Sequence, residues 1–382
     1  MRREFHTLTP VPLLIAFIAF STFLTMAANG KSIKSQLHDY RVVELATDLE
    51  HPWSFAFLPE GGILITERVG RVRLFKSNKL DPKALDGVPE VVDGGQGGLL
   101  DIVLHPQFND NQQLYLSFVA GGNTGVNTKV MRFDFDQRTN SLKNPYKIFD
   151  AVPKVFGGRH FGGRMTFDRL GYLFISTGDR GEMHRAQDVN DHSGSIIRIH
   201  DDGRIPHENP IFQNLGARKA IFSLGHRNPQ GMALHPRTGV VWTHEHGARG
   251  GDEINIIRIG RNYGWPVITH GINYDGSPIG VGNAKPGMEQ PLYFWVPSIA
   301  PSGMTFYIGD KFPKWQNSLF IGSLKNEMLV RLEIKEESIL KEERLLQNEV
   351  GRIRDVREGP DGCIYIITDE PDGRLIRLEP DT

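Results

Sequence analysis

The chain has 382 residues, 39% of them hydrophobic and 23% charged, with 42 glycines and a formal net charge of -1. That near-neutral balance gives no general attraction to nucleic acid or to an anionic lipid surface. The single cysteine, Cys363, excludes an internal disulfide, and the composition suits a protein of short strands and tight turns rather than a helical or disordered one.

At the amino terminus, Arg2 and Arg3 precede an uncharged apolar stretch from Val11 to Met26, followed by the small residues Ala27 and Ala28. Residues 1–28 read as a secretory signal peptide cleaved after Ala27 or Ala28, the alternative being an uncleaved amino-terminal anchor. The expected mature protein is exported, periplasmic or extracellular, with no membrane span.

From Trp53 to Leu378 one passage recurs six times: an apolar strand, a turn built on Pro, Asp or Gly, a second strand, and later a third. The strand pairs begin with Trp53 to Phe57 and Gly62 to Thr66, then Leu100 to Leu104 and Gln113 to Phe118, then Gly163 to Phe167 and Tyr172 to Ser176. They continue with Gly231 to Leu234 and Val240 to Thr243, Gly303 to Tyr307 and Ser318 to Ile321, and Ile353 to Arg357 and Cys363 to Thr368. The third strands are placed at Val72 to Leu74, Val130 to Phe133, Ile196 to Ile199, Ile256 to Ile259, Leu329 to Leu332 and Leu375 to Leu378. Period-two alternation bounded by turn formers predicts strands throughout. Six similar units, none able to bury a face alone, predict an all-β fold: a six-bladed β-propeller of four-stranded antiparallel blades, one domain spanning residues 38–380. The segment Tyr40 to Leu45 is expected to join the last blade and close the ring. Cys363 reads as a small packing residue, and nothing in the pattern decides between monomer and homodimer. The inserts Asp179 to Ser193, Asp202 to Arg227 and Tyr263 to Ser302 are long enough to be functional loops.

Polar residues stand just beyond several second strands: Glu67 with Arg68, Asp179 with Arg180, His244 to His246, Lys325, and Asp369 with Glu370. Equivalent positions in a repeat lie at equivalent heights, so these are expected on one face; a solvated rim of turn residues is the plainer reading. His160 is set among glycines in Gly157-Gly158-Arg159-His160-Phe161-Gly162-Gly163, and Asp179 ends the next strand. A His at one strand's entrance and an Asp at its neighbour's exit can meet as an oriented general base, although His is also a common loop residue. Arg227 and Asn228, with Lys325, Arg352 and Arg354, suit a planar or multiply carboxylated ligand or else ordinary salt bridges. The pattern His244-Glu245-His246 does not match a zinc H-E-x-x-H helix. The following run, Gly247 to Glu253, offers the carbonyls and carboxylates a hard cation prefers. No dinucleotide fingerprint, phosphate loop or G-x-S-x-G elbow is present. Trp265, Trp295 and Tyr293 read as packing residues, with a sugar cleft as the other possibility.

Six segments, Gly95 to Asp101, Arg159 to Gly163, Gly225 to Gly231, Gly251 to Asn255, Asn262 to Pro266 and Ile299 to Met304, resemble, in order, the soluble quinoprotein glucose and aldose sugar dehydrogenases. The resemblance spans roughly residues 40 to 380. It implies a propeller that binds pyrroloquinoline quinone (PQQ) and Ca2+ and oxidises an aldose at the C1 hydroxyl to the lactone, with hydride transfer to C5 of the quinone. It further implies His160 as general base, Asp179 orienting it, Gln96 positioning substrate and Arg227 beside the quinone oxygens. Asn228, Lys325, Arg352, Arg354 and His246 would be cofactor contacts. Gly247 and Ala248 would offer carbonyls to the cofactor's calcium. Glu253, the Tyr263 carbonyl and Asp275 would hold a structural one. Two positions depart from the family pattern: His246 stands where the glucose enzyme has Gln, and Ala248 where Pro is usual. The implied partners are a monosaccharide or disaccharide aldose and a respiratory quinone or small redox carrier. A calcium-dependent lactone hydrolase and a non-catalytic carbohydrate- or protein-binding propeller are the competing functions on the same fold.

Overall fold

Short alternating strands closed by glycine and proline turns fold into six sheets in the computed structural model, which describes residue 1, residues 32–212 and residues 217–381. Apart from Met1, the expected signal segment lies outside the described residues. Blade 1 comprises Pro52–Phe57, Ile63–Glu67, Arg71–Lys76 and Lys79–Leu80; blade 2, Leu99–Leu104, Gln113–Gly122, Gly125–Asp136 and Ser141–Asp150. Blade 3 is Met165–Phe167, Leu173–Thr177, Ser195–Ile199 and Ile221–Leu224, and blade 4 is Pro229–Leu234, Val241–Glu245, Asp252–Ile256 and Tyr293–Trp295. Blade 5 is Pro301–Tyr307, Ser318–Ser323, Met328–Lys335 and Ser338–Leu345. Blade 6 joins Ile353–Glu358, Ile364–Thr368 and Gly373–Pro380 to Tyr40–Leu49, with the short strand Ser32–Ile33 beyond it. The pairing of Tyr40–Leu49 with Gly373–Pro380, in register from Tyr40 opposite Pro380 to Leu49 opposite Gly373, closes the ring as expected. No helix among the described residues is long and apolar enough to cross a membrane.

The first strands of the blades touch their neighbours in cyclic order and surround the central channel. Between each adjacent pair of blades lies one apolar cluster. Blades 5 and 6, for example, bury Trp315, Phe320, Val356 and Ile366 against each other. A fully buried side chain of this size contributes about 1.5–3 kcal/mol, which is why units too thin to stand alone are stable when stacked. Cys363 is buried in the cluster between blades 6 and 1.

One strand differs from expectation. The third strand of blade 4 is Asp252–Ile256 rather than Ile256 to Ile259. The Tyr263 hydroxyl donates to the Ile256 carbonyl at 2.5 Å and accepts the Arg258 N–H at 2.9 Å, which turns the chain out of the sheet. Ile257 is then buried between blades 3 and 4.

Hairpin register positions the site. The entrance of each first strand sits opposite the exit of the second: Pro52 faces Glu67, Pro229 faces Glu245, Pro301 faces Ser323 and Ile353 faces Thr368. Loops just outside these pairs therefore crowd one mouth of the channel. Deeper in, the channel is crossed by an ionic plug in which Asp101, Arg164 and Asp355 are buried and Arg357 is half-buried. Asp101 Oδ1 accepts from Arg357 at 2.9 Å and Arg164 at 3.3 Å, and Asp355 Oδ2 lies 3.2 Å from Arg164 and 3.1 Å from Arg357.

Candidate functional site

At the crowded mouth lies a cavity of about 450 Å³, within the size range of small-molecule and cofactor pockets. Second-strand exits supply Arg68, His246, Lys325 and Asp369 to its wall; first-strand entrances supply Asn228, Arg352 and Arg354. Arg68, Lys325, Arg352 and Arg354 thus face a single wall carboxylate, Asp369. Arg354 pairs directly with Asp369, and Arg352 stands 3.6 Å from the same oxygen. Burial opposes ionisation of Asp369, but the neighbouring Arg354 outweighs it and holds the carboxyl well below its usual range. Burial pulls Arg354 itself below the ordinary arginine value despite that partner. Its Nε is buried without a hydrogen-bond partner. Lys325 is exposed at the rim.

Beside this wall, His160 Nδ1 meets Asp179 Oδ1 at 2.6 Å, joining the entrance and exit loops of blade 3. Both residues are buried. The contact fixes the proton on Nδ1 and leaves Nε2 as the acceptor. Burial lowers the pKa of His160, only partly offset by Asp179, so the neutral imidazole prevails at neutral pH. Asp179 is also depressed: burial would raise it, but His160 and the Gly181 N–H together prevail. His160 adopts a left-handed φ of 54°, a strained conformation for a residue with a Cβ. Its N–H is held by Gln96 Oε1 at 2.7 Å, and its carbonyl accepts from the Arg180 N–H at 3.3 Å. The Arg180 guanidinium lies over the Phe161 ring at 3.5 Å and donates to the Gly157 carbonyl at 2.7 Å, bracing the glycine loop.

Arg227 adjoins the dyad, its carbonyl accepting the Asp179 N–H at 2.8 Å. Its guanidinium donates to the His246 carbonyl at 3.3 Å, and its Nε is buried without a partner. Asn228 Oδ1 receives the Gly162 N–H at 3.1 Å. His246 donates Nε2–H to the Pro301 carbonyl at 2.6 Å, bridging blades 4 and 5, and burial lowers its pKa, so the ring is neutral. Under Arg227, Ser223, His226 and Glu245 form a hydrolase-like series at 3.0 and 2.8 Å. All three are buried, so the series presents no nucleophile to a substrate. It anchors the Arg227 backbone instead, since Glu245 also receives the Arg227 N–H.

The candidate cation ligands do not all come together. Gly247 and Ala248 are buried in a tight loop whose Gly247 N–H is held by Asp252 at 2.8 Å. Glu253 pairs across the sheet with Glu245, and burial followed by that neighbour pushes its carboxyl well above the usual range. A cation beside Glu253 would relieve this, and carboxylate and carbonyl oxygens are the donors a calcium takes. The Tyr263 ring stacks on His226 at 4.7 Å. Asp275, by contrast, is exposed and its carboxylate is engaged by the Ser277 N–H and hydroxyl at 2.9 and 2.7 Å. Among the described residues no group of three or more His, Cys, Asp or Glu side chains is arranged to hold a metal.

Two residues of this neighbourhood carried weak signals in the sequence. Arg68 occupies the post-strand position shared with Lys325 and Asp369, which the repeat alignment already marks. Trp265 is buried, as a packing residue should be, yet its indole N–H reaches Asp179 Oδ2 at 2.8 Å. Trp295 is also buried, and its N–H and the Tyr293 hydroxyl both bond Glu342, away from the cavity.

Residues 49–377 match the family Glucose / Sorbosone dehydrogenase. The chain is 44% identical over 343 residues to the aldose sugar dehydrogenase YliI of Escherichia coli K12, covering 88% of this chain and 92% of that protein. A solved glucose dehydrogenase superposes with a TM-score of 0.87 at 47% identity, over 89% of this chain and 99% of that one. The PQQ-bound aldose sugar dehydrogenase of Streptomyces coelicolor superposes at 0.73 with 27% identity, over 90% and 98% of the two chains.

Proposed function

The chain belongs to the glucose and sorbosone dehydrogenase family of sugar oxidoreductases, and on that premise we propose that it is a PQQ- and calcium-dependent aldose dehydrogenase. The substrate would be a monosaccharide or disaccharide, oxidised at the C1 hydroxyl to the lactone. The observation that carries this reading is a cavity with four cations and one carboxylate beside a buried, Asp-oriented imidazole. A flat polyanion such as PQQ answers the cation surplus, including the unpartnered Arg354 Nε. A neutral lactone leaves that surplus unpaired.

His160 Nε2 takes the proton of the C1 hydroxyl while Asp179 holds Nδ1 and stabilises the imidazolium that forms. Bound in this cavity, the quinone would supply the two-electron acceptor for the hydride leaving C1. Gln96, with Oε1 committed to the His160 N–H, keeps its amide N–H groups for the sugar. Arg227 offers fixed positive charge where negative charge develops. Asn228, Lys325, Arg352, Arg354 and His246 hold the cofactor. The Gly247 and Ala248 carbonyls are assigned to its calcium, and Glu253 with the Tyr263 carbonyl to a structural one, without Asp275. The sequence of residues 1–28 supports export, where a respiratory quinone or small redox carrier would accept the electrons.

The test is dye-linked oxidation of an aldose panel by mature protein given PQQ, Ca2+, both or neither, alongside H160Q. Activity requiring both additions, and reduced about 10²–10⁴-fold in H160Q with PQQ still bound, is the expected result. PQQ-independent lactone hydrolysis, or full activity in H160Q, would overturn the reading.

A further inference from the structure

The indole of Trp265 touches both working halves of the site. Its Nε1–H donates to Asp179 Oδ2 at 2.8 Å, while Asp179 Oδ1 is shared by His160 Nδ1 at 2.6 Å and the Gly181 N–H at 2.7 Å. Holding both carboxylate oxygens fixes the carboxylate plane and with it the imidazole. The Arg227 guanidinium lies over the face of the same indole, 5.3 Å from its centroid, in cation–π contact. Trp265 cannot swing away. Its backbone N–H donates to the Gly225 carbonyl at 2.9 Å, its backbone carbonyl accepts from the Gln187 side chain at 2.7 Å, and its ring packs with Ala186, Ala248 and Ile279.

We propose that Trp265 is a positioning residue that locks Asp179, and through it His160, while supporting Arg227 from the same ring. The proposal rests on the reading of His160 as base and Asp179 as its orienter. The Trp265 N–H draws part of the Asp179 negative charge to itself. Removing it leaves a buried carboxylate whose remaining partners are His160 and one backbone N–H. That carboxylate stabilises the imidazolium more, so His160 holds its proton up to a higher pH and is neutral over a narrower range, and with one oxygen released it aims the imidazole less sharply. The charged groups around His160 are Asp179, Arg227 and Arg159, and none of them is altered by the substitution.

W265F keeps a phenyl ring in the packing and removes the N–H together with part of the indole. It is expected to lower kcat about 10–100-fold, the scale of one hydrogen bond to a charged group, with KM for the sugar nearly unchanged. The acid limb of kcat/KM should move to higher pH. W265L removes the ring as well and should additionally weaken cofactor binding. In cofactor-free protein, the His160 Nδ1–H resonance, assigned by its loss in H160Q, should shift in W265F. In the unsubstituted protein, the Trp265 indole N–H resonance should titrate with the same midpoint as His160, a readout that needs no variant to fold. An unmoved acid limb together with an unshifted Nδ1–H resonance, or an indole signal blind to the His160 titration, overturns the proposal. Because the resonance measurements use cofactor-free protein, they decide the role of Trp265 even if the PQQ reading fails.

Discussion

The channel holds two groups of arginines that obey opposite accounts. In the plug, Arg164 and Arg357 are matched by Asp101 and Asp355. Burial would lower Arg357, yet the two carboxylates outweigh it and raise it above the ordinary value. At the mouth, Arg354 has one carboxylate, shared with Arg352, and burial wins. A fold balances the charges it buries for its own sake. Where it leaves a wall in surplus, as around Arg354, the wall suits an anion supplied from outside, the part proposed here for the cofactor.

The sharpest way to break this contrast is to unbalance the plug. Asp101→Ala strands Arg164 and Arg357 beside a single carboxylate and should destabilise the protein by about 3–5 kcal/mol in urea unfolding. A cost below about 1 kcal/mol would mean the plug is not a balanced structural unit. At the mouth the same kind of change should act on the ligand instead. Lys325→Met removes an exposed cation with no carboxylate partner in the cavity wall, so stability should stay within about 0.5 kcal/mol. PQQ affinity, followed by quenching of protein fluorescence, should fall about 10-fold, in line with loss of a charge-assisted contact. Unchanged affinity would remove Lys325 from the binding wall.

A smaller effect separates the dyad from both groups. Because burial depresses His160 despite Asp179, it stays neutral and competent down to below the ordinary histidine value. Activity should therefore be flat through neutral pH and fall only at more acid pH, as the imidazole gains its proton. A kcat/KM midpoint above about 7 would contradict the burial argument. Smallest of all is the response to salt. Moderate ionic strength should weaken PQQ binding several-fold by screening the open mouth, and leave the unfolding midpoint, set partly by the buried plug, nearly unmoved.

Much of this was legible because a propeller repeats itself. Period-two runs with turn residues place the first two strands of every blade within about two residues of the observed bounds at most ends. The equivalence of strand exits is enough to bring Lys325 and Asp369 to one wall, where the structure has them. The reading slipped at Ile256 to Ile259, where a tyrosine hydroxyl several residues downstream captures the strand's last carbonyl, a contact no local pattern encodes. The plug was illegible for the same reason. Asp101, Arg164 and Asp355 sit in three different blades, and only ring closure makes them neighbours. Asp275 shows the converse failure: its residue type suits a cation, but Ser277 two residues on already satisfies it.

The closing pairing of Tyr40–Leu49 with Gly373–Pro380 also ties the cavity wall to a contact between distant parts of the sequence. Blade 6 carries Arg352, Arg354 and Asp369, and its fourth strand, Tyr40–Leu49, is separated in sequence from the other three by the five intervening blades. A chain whose two ends have not met lacks the blade edge behind this wall, so loading of the proposed cofactor should require the closed ring.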